Sequence, residues 1–457
     1  DTGKRGAIGG YSREFFDHIR EHYAKTYGPT SPQLKACADG FHFEPHVAAA
    51  TFAAMLRAAK IEPRLDQPLA AVVKDGARIV ALKTTGGDEF AGKVFIDASY
   101  EGDLMAKAGV KYHLGREGRE QYGETLAGVQ AHSPAHQWPV KVNALDGPGK
   151  PLPFVSAGPI EAAGTGDRKV QAYNFRLCMT RVAANRVPWP KPANYDPARY
   201  ELLVRYLAAK TGLKVGNLCN PVGMPSGKTD TNNNGPFSTD HIGANFDYPE
   251  GDAATRQRIG QDHVDYTQGF FYFLAHDPRV PAALQTEVNT WGLAKDEFTD
   301  NANWPPQLYV RESRRMIGAY VMTQADFADN RTKPETVGLG SYNSDSHHVQ
   351  RVATADGSAL NEGDFQVPVK PYAIPYRSLT PKPEECSNLL VPVCCSASHV
   401  AYGTIRMEPV YMILGQASGV AAAMAFDGDG TVQHVSVERL QAKLREQKAM
   451  LDPNAVK

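Results

Sequence analysis

The sequence predicts an α/β fold interrupted by a large α+β module. Two regions far apart in the chain carry the α/β signal. From Asn388 to Phe426 an apolar run is followed by a polar, turn-rich loop and then by a helix. From Leu69 to Asp103 hairpin-linked strands lead into a small acidic turn and a new helix. Between them the pattern changes to Pro- and Gly-rich loops, short strands and long helices. The change sets in at about Gly115.

The chain opens with Gly9-Gly10-Tyr11-Ser12, where Ser12 is placed to cap a helix running to about Tyr27. Phe15, Phe16, Ile19 and Tyr23 fall on one face of it. Gly28-Pro29-Thr30-Ser31-Pro32 stops it, and a second helix covers about Pro45 to Lys60. Strands follow at Leu69 to Val73, Arg78 to Thr84 and Glu89 to Ile96, with Lys74-Asp75-Gly76 and Gly86-Gly87-Asp88 as turns. The third strand ends in Asp97-Ala98-Ser99-Tyr100-Glu101-Gly102-Asp103. Open α/β sheets place ligand contacts at such strand ends. A lone acid there also serves as an ordinary turn or cap acceptor.

In the insertion, alternating residues run from about Gly115 to Lys150, and Asn174 to Thr180 has the pattern of a strand. Pro197 to Thr211 is helical, with Tyr200, Leu203 and Leu207 aligned. Pro225 to Gly235 is strongly polar, which suits a solvated loop or a wall for a polyhydroxylated ligand. A long helix spans about Ala253 to His276, and a short strand covers Gln307 to Val310. Arg311, Arg314 and Arg315 follow, able to grip a carboxylate or phosphate or to pair with nearby acids. Ser341 to Arg351 holds the paired histidines His347 and His348, with Tyr342 and Arg351 close by. A base, an acid and an anion clamp are therefore available in one segment.

Leu389 to Val393 has the composition of a buried strand, and its loop carries Ser396, Ser398, His399, Gly403, Thr404 and Arg406. The last helix is able to begin at Pro409. Gly415, Gly419 and Ala423 recur at every fourth residue, leaving one face nearly bare backbone. Strand, loop and helix suit a nucleotide cofactor, the helix N-terminus being aimed at negative charge. Close packing of a helix on a sheet explains the spacing equally well.

A net charge of -1 without a basic block excludes nucleic acid as a partner. Six scattered cysteines without a CxxC pair lead to the expectation of no metal site. Val410 to Phe426 is broken by Gly415, Gln416, Ser418 and Gly419 and falls short of the roughly 20 apolar residues of a membrane span.

Several segments jointly resemble one family. They are Lys4 to Gly10, Phe95 to Leu104, Gly227 to Asp230, Arg311 to Met316, Asp345 to His348, Ile374 to Leu379, Ser396 to His399 and Gly415 to Gly419. They are similar to bacterial FAD-dependent oxidoreductases of the glutathione-reductase-like flavoproteins, members of which are sometimes labelled xanthan lyase. The resemblance covers nearly the whole chain. It implies a Rossmann-like FAD/NAD(P)-binding domain formed by residues 1–114 and 385–457, with residues 115–384 inserted as the α+β substrate domain, and with Asp97, Ser99, Gly102 and Asp103 at the nucleotide end of FAD. Ser398, His399, Arg406, Gly415 and Gln416 are implied at the flavin end, where the helix N-terminus would stabilise charge arising on reduction. The implied reaction takes a hydride from a small polar, carbohydrate-like substrate. His399, His347 or His348 would take the proton, and Arg351 would clamp an anion.

Such folds open with a GxGxxG turn that holds the pyrophosphate. None occurs here, and the chain opens at Asp1-Thr2-Gly3, so the expectation is a chain without that unit, contacting only part of FAD. The competing reading is a polysaccharide lyase, with Tyr342, His348, Arg351 and Asn232 to Asn234 abstracting a proton beside a uronate carboxylate. A third is a carbohydrate-binding relic without turnover.

Overall fold

The computed structural model describes residues 3–130, 133–156, 158–329 and 333–456. Asp1 and Thr2, part of the expectation about the chain's opening, lie outside these residues. The first helix is Gly10–Tyr27, and its buried face includes Phe15, Phe16, Ile19 and Tyr23. Its N-cap is Gly9 in extended conformation rather than Ser12. Ser12 instead lies inside the helix and donates its Oγ–H to the Pro409 carbonyl at 3.2 Å. Tyr11 N–H donates to Gln416 Oε1 at 2.9 Å, so the first helix is strapped along the helix Glu408–Asp427.

Leu69–Asp75, Arg78–Thr84 and Glu89–Ala91 form an antiparallel three-stranded sheet. The third strand is shorter than expected because the chain leaves the sheet after Ala91. Phe95–Ile96 instead pairs in parallel with Leu389–Leu390, which joins the two halves of the α/β region. The Asn388 side chain couples this pair to the three-stranded sheet. Its Oδ1 accepts from Ile79 N at 2.9 Å and its Nδ2 donates to Ile79 O at 2.8 Å, so a buried amide is satisfied as a peptide would be.

The middle of the chain builds a five-stranded antiparallel sheet in the order Arg186–Val187, Gly292–Ala294, Leu177–Thr180, Lys228–Asn233, Cys219–Gly223. Lys228–Asn233 lies in the stretch expected as a solvated loop. It is an inner strand, because Lys228, Thr229, Thr231 and Asn233 each find polar partners or neighbours when buried. The helix Ala253–His276 matches its expected span and is capped by Asp252, whose side chain accepts from Thr255 N at 2.8 Å. Phe270, Phe271 and Phe273 bury its inner face, with Phe271 stacked on Trp189 at 4.1 Å. Tyr309 forms only an isolated bridge to Asn174 in place of the expected strand.

Every residue from Leu389 to Met407 is buried. The loop expected between strand and helix contains a further helix, His399–Ile405, capped by Ser398, which accepts from Ala401 N at 3.1 Å. Glu408–Asp427 follows with Pro409 in its first turn. It packs on the strand Thr336–Gly340, and the close approach is made by Gly338: a Cβ there would meet Ile413 Cγ2 at 2.5 Å. Gly415 and Gly419 are not the contact face, since a Cβ added at either would meet nothing within 4 Å. By length and mean hydropathy (1.4) this helix is able to cross a membrane, but half of the apolar window is buried in the fold.

Candidate active site

Two histidine–carboxylate pairs lie in one buried polar network. His347 Nδ1 is 2.8 Å from Asp240 Oδ2, and His347 Nε2 is 3.8 Å from Asp345 Oδ2. His399 Nδ1 is 2.8 Å from Glu312 Oε2. Gln171 bridges the pairs, donating to Glu312 Oε2 at 2.7 Å and accepting from His347 N at 3.1 Å. Each acid also has a guanidinium: Arg311 lies 2.9 Å from Asp240, Arg406 lies 3.1 Å from Asp345, and Arg315 pairs with Glu312.

Local folding explains these positions. His347 follows the strand Ser344–Ser346, which is paired with Phe365–Val367. His399 is the first residue of its helix, and its backbone N–H donates to Glu117 Oε2 at 2.9 Å. Arg406 ends that helix and donates to the Asp345 carbonyl at 3.0 Å.

Burial, and then the charge of Arg311, pushes His347 down to about 4 against the pull of Asp240. Burial alone would raise Asp240, but Arg311 and His347 outweigh it and hold the acid below the usual range. Burial likewise opposes ionisation of Glu312, yet His399 and Arg315 bring it down to about 2. At neutral pH His347 is therefore uncharged, with Nδ1–H donated to an ionised Asp240. Its Nε2 lone pair is left on the side of Asp345.

Several buried atoms of this network have no partner among the described residues. They include Asp345 Oδ1, Asn174 Oδ1, Arg311 Nε and His399 Nε2. Asn174 and Arg311 meet at Asn232 Oδ1, at 3.0 and 3.2 Å. Tyr309 lies under both Arg176 and Arg311, whose carbons stand 5.4 and 5.1 Å from its ring centre. Burial, then Glu408, raises the Tyr309 hydroxyl to about 12.

The other expected site residues serve different ends. Asp97 accepts from Ser99 N and Oγ through Oδ1, at 3.1 and 2.6 Å, and from Met105 N through Oδ2 at 2.8 Å. Ser99 Oγ in turn accepts from Gly102 N at 3.0 Å. These side chains build their own turn, and Gly102 occupies its left-handed position (φ 69°). Asp97→Ala removes three acceptor interactions from a buried turn and is expected to cost about 3 kcal/mol in urea unfolding. Asp103 is gripped by Arg256 and Arg314, which outweigh burial and lower its pKa. Gln416 is taken up by Tyr11 and by Gln447 at 2.9 Å. Ser398 donates to Glu124 at 2.6 Å.

His348 and Arg351 point away from the paired acids. His348 Nε2 meets the Ala135 carbonyl at 3.0 Å, and burial lowers its pKa to about 3. Arg351 donates to Asn361 Oδ1 and the Pro236 carbonyl, both at 2.8 Å, between Trp138 and Phe237. Burial lowers its pKa to about 10. All three arginines of Arg311 to Arg315 pair with acids. Among the described residues, Glu44, His46 and Glu297 have metal-like spacing, and the Lys228 ammonium stands between the two glutamates at 2.7 and 2.6 Å. Sequence reasoning missed Asp240, an acid in an unpatterned loop whose one available signal was its place beside His241.

A family model described as FAD dependent oxidoreductase matches residues 1–444. The chain belongs to the FAD-dependent oxidoreductase family. It is accordingly an FAD-dependent oxidoreductase with the Rossmann-like fold that membership implies, acting on a small molecule. No curated protein and no solved structure gives a match. His399 Nε2 and Asp345 Oδ1, buried and without a partner among the described residues, are of the kind that a ligand's polar edge would satisfy.

Proposed function

We propose that this flavoprotein oxidises a hydroxyl-bearing carbon of a small, neutral, carbohydrate-like substrate, with His347 as base and Asp240 as its orienter. The carrying observation is the His347–Asp240 pair set among buried atoms without partners. Arg311 and Arg406 already face acids, so the network has no surplus positive charge to attract an anion. Its unfilled atoms are mostly acceptors, with one donor, and hydroxyl groups supply both kinds of partner. Residues 115–384 contribute Asn174, Asp240, Arg311 and Asp345, which supports reading them as a substrate module inserted in the FAD domain. The glutathione-reductase-like subtype is part of the same reading.

FAD, when bound, supplies the two-electron acceptor for a hydride. His347 Nε2 takes the hydroxyl proton as the C–H bond breaks, and Asp240 holds the imidazole in the productive tautomer. A weak base suffices, because the hydroxyl becomes strongly acidic as its carbon loses hydride. Elimination beside a uronate finds no observation in its favour: His348 and Arg351, cast as its base and clamp, are tied to Ala135, Asn361 and Pro236.

The test is titration with FAD, followed by anaerobic addition of sugar alcohols or sugars. Flavin fluorescence is expected to be quenched on binding, and the visible flavin band to bleach with a polyol. A bound flavin bleached only by amines or by carboxylates without hydroxyls would overturn the substrate class.

A further inference from the structure

The polar run from Lys228 to Asn233 has a use beyond completing its sheet. In the ladder with Leu177–Thr180, Cys178 stands opposite Asp230. Side chains alternate between the two faces of a sheet, so Asp230 and Asn232 share a face with Cys178. The chain before Leu177 brings Arg176 and Asn174 to the same side. Arg176 Nε donates to Asp230 Oδ1 and Asn174 Nδ2 donates to Asn232 Oδ1, both at 3.0 Å. The opposite face sends Phe175, Leu177 and Met179 into the core.

Asn174 and Asn232 form an amide pair whose outer ends are unused. Asn232 Oδ1 accepts from Asn174 Nδ2 and from Arg311 Nη2, at 3.0 and 3.2 Å, and two donors on one atom identify it as the carbonyl end. The other end, Asn232 Nδ2, donates to no described residue. Asn174 is wholly buried, yet its Oδ1 has no partner among the described residues. The position is fixed from both sides. Tyr309 N–H donates to the Asn174 backbone carbonyl at 2.9 Å, and Arg311, bonded to Asn232, lies 2.9 Å from Asp240. One guanidinium thus separates the amide pair from the orienter of His347. Exposure rises along the same face, from Asn174 through half-buried Asn232 to Asp230, whose side chain is 40% exposed. Close packing does not account for the arrangement, because a buried acceptor left empty costs stability.

A free acceptor at one end and a free NH2 at the other select the ligand. A carboxylate is repelled by Asn174 Oδ1, and an ammonium finds no acceptor in Asn232 Nδ2, whereas hydroxyl groups both donate and accept. We propose that Asn174 and Asn232 are specificity-determining residues that read two adjacent hydroxyls. One hydroxyl donates to Asn174 Oδ1 and the other accepts from Asn232 Nδ2, so the substrate carries a vicinal diol besides the hydroxyl that His347 deprotonates. This rests on the reading of the substrate as hydroxyl-bearing, and it narrows that class.

Binding to the full chain without FAD, followed by saturation-transfer NMR, tests the amide pair with no turnover to interfere. trans-1,2-Cyclohexanediol is expected to bind about tenfold more tightly than cyclohexanol or trans-1,4-cyclohexanediol. The preference should disappear in Asn232→Asp, which keeps the oxygen that Asn174 and Arg311 use and loses only the NH2 donors. In wild-type protein labelled with 15N-asparagine, the 1,2-diol should shift a side-chain amide signal, a result that stands even if the variant does not fold. Equal affinities, tighter binding of cyclohexanecarboxamide, unmoved asparagine signals, or a preference that survives in Asn232→Asp overturns the proposal. The base is tested apart from this. Polyols that bleach the flavin of a protein with no diol preference would remove the amide pair and leave His347 standing. Full turnover in His347→Gln would remove the base and leave the binding result intact.

Discussion

His347→Gln is expected to lower kcat by about 10²- to 10⁴-fold, the range general-base catalysis supplies, while FAD still binds. Glutamine keeps a donor near Asp240 but has no lone pair able to take a proton at Nε2. Asp240→Asn replaces the acceptor-only carboxylate with an amide that can donate to Nδ1 and so permits the wrong tautomer, and it is expected to show a large loss of the same kind. His348→Gln is the internal control. Its Nε2 is bonded to the Ala135 carbonyl, so it should alter stability rather than turnover. Stopped-flow flavin reduction across pH separates these outcomes. His347 is neutral above about 4, so wild-type reduction is expected to fall as pH drops toward that value, and the acid limb should be missing in His347→Gln. Flavin reduction at the wild-type rate in that variant would reject His347 as base.

The same depression sets an acid limit on the fold. His347 and His348 have folded values of about 4 and about 3 against an ordinary 6.5. Between those limits the unfolded chain binds the extra protons. Stability contributed by the neutral imidazoles is thus fully present above pH 6.5 and is lost as pH falls through the folded values.

How legible all this is in the sequence depends on the range of the forces involved. Helix Ala253–His276 was readable because Asp252, the aromatic face and Asp277-Pro278 are local signals. Leu389–Leu390 was readable because its apolar run has no other use. Lys228–Asn233 was not, since a strand whose buried side chains are Lys, Thr and Asn has a loop's composition until its partners are seen. Its alternation of Thr229 and Thr231 was the remaining trace of a strand. The histidines were visible as candidates, but their ranking was not. His347 and His348 are adjacent, and only contacts 107 and 213 positions away give one a carboxylate and the other a backbone carbonyl. The glycine repeat in the last helix misled for a related reason. A small face shows that close approach is possible, whereas here the approach is made by Gly338 on the strand beneath.

Lys228→Met is expected to destabilise the protein by about 3–5 kcal/mol, the cost of breaking a buried ion pair from one side. Lys228 is 1% exposed, and its ammonium lies within 2.7 Å of Glu44, Asp296 and Glu297. Asp296 is half exposed and rehydrates when the ammonium is removed, but Glu44 and Glu297 are buried. His46, 2.7 Å from Glu297, can compensate only one of them. Met matches the volume of the stem, so lost packing is a small part of the cost. The loss also has a location. Lys228 belongs to the inner strand of the five-stranded sheet, whereas Glu44 directly precedes the helix Pro45–Ala58. Hydrogen exchange is therefore expected to quicken first in residues 28–60. The pH dependence separates charge from packing. Glu297 is lowered in the native protein, where burial is outweighed by His46 and Lys228, so its stabilisation is present above about 4.5 and lost in acid. Without the ammonium the buried carboxyls take up protons more readily than in the unfolded chain. The gap between wild type and Lys228→Met should then narrow as pH falls. A constant gap from pH 7 to pH 4 would show that the lysine acts by packing, and adding Glu44→Gln and Glu297→Gln to Lys228→Met should recover stability only if it acts by charge.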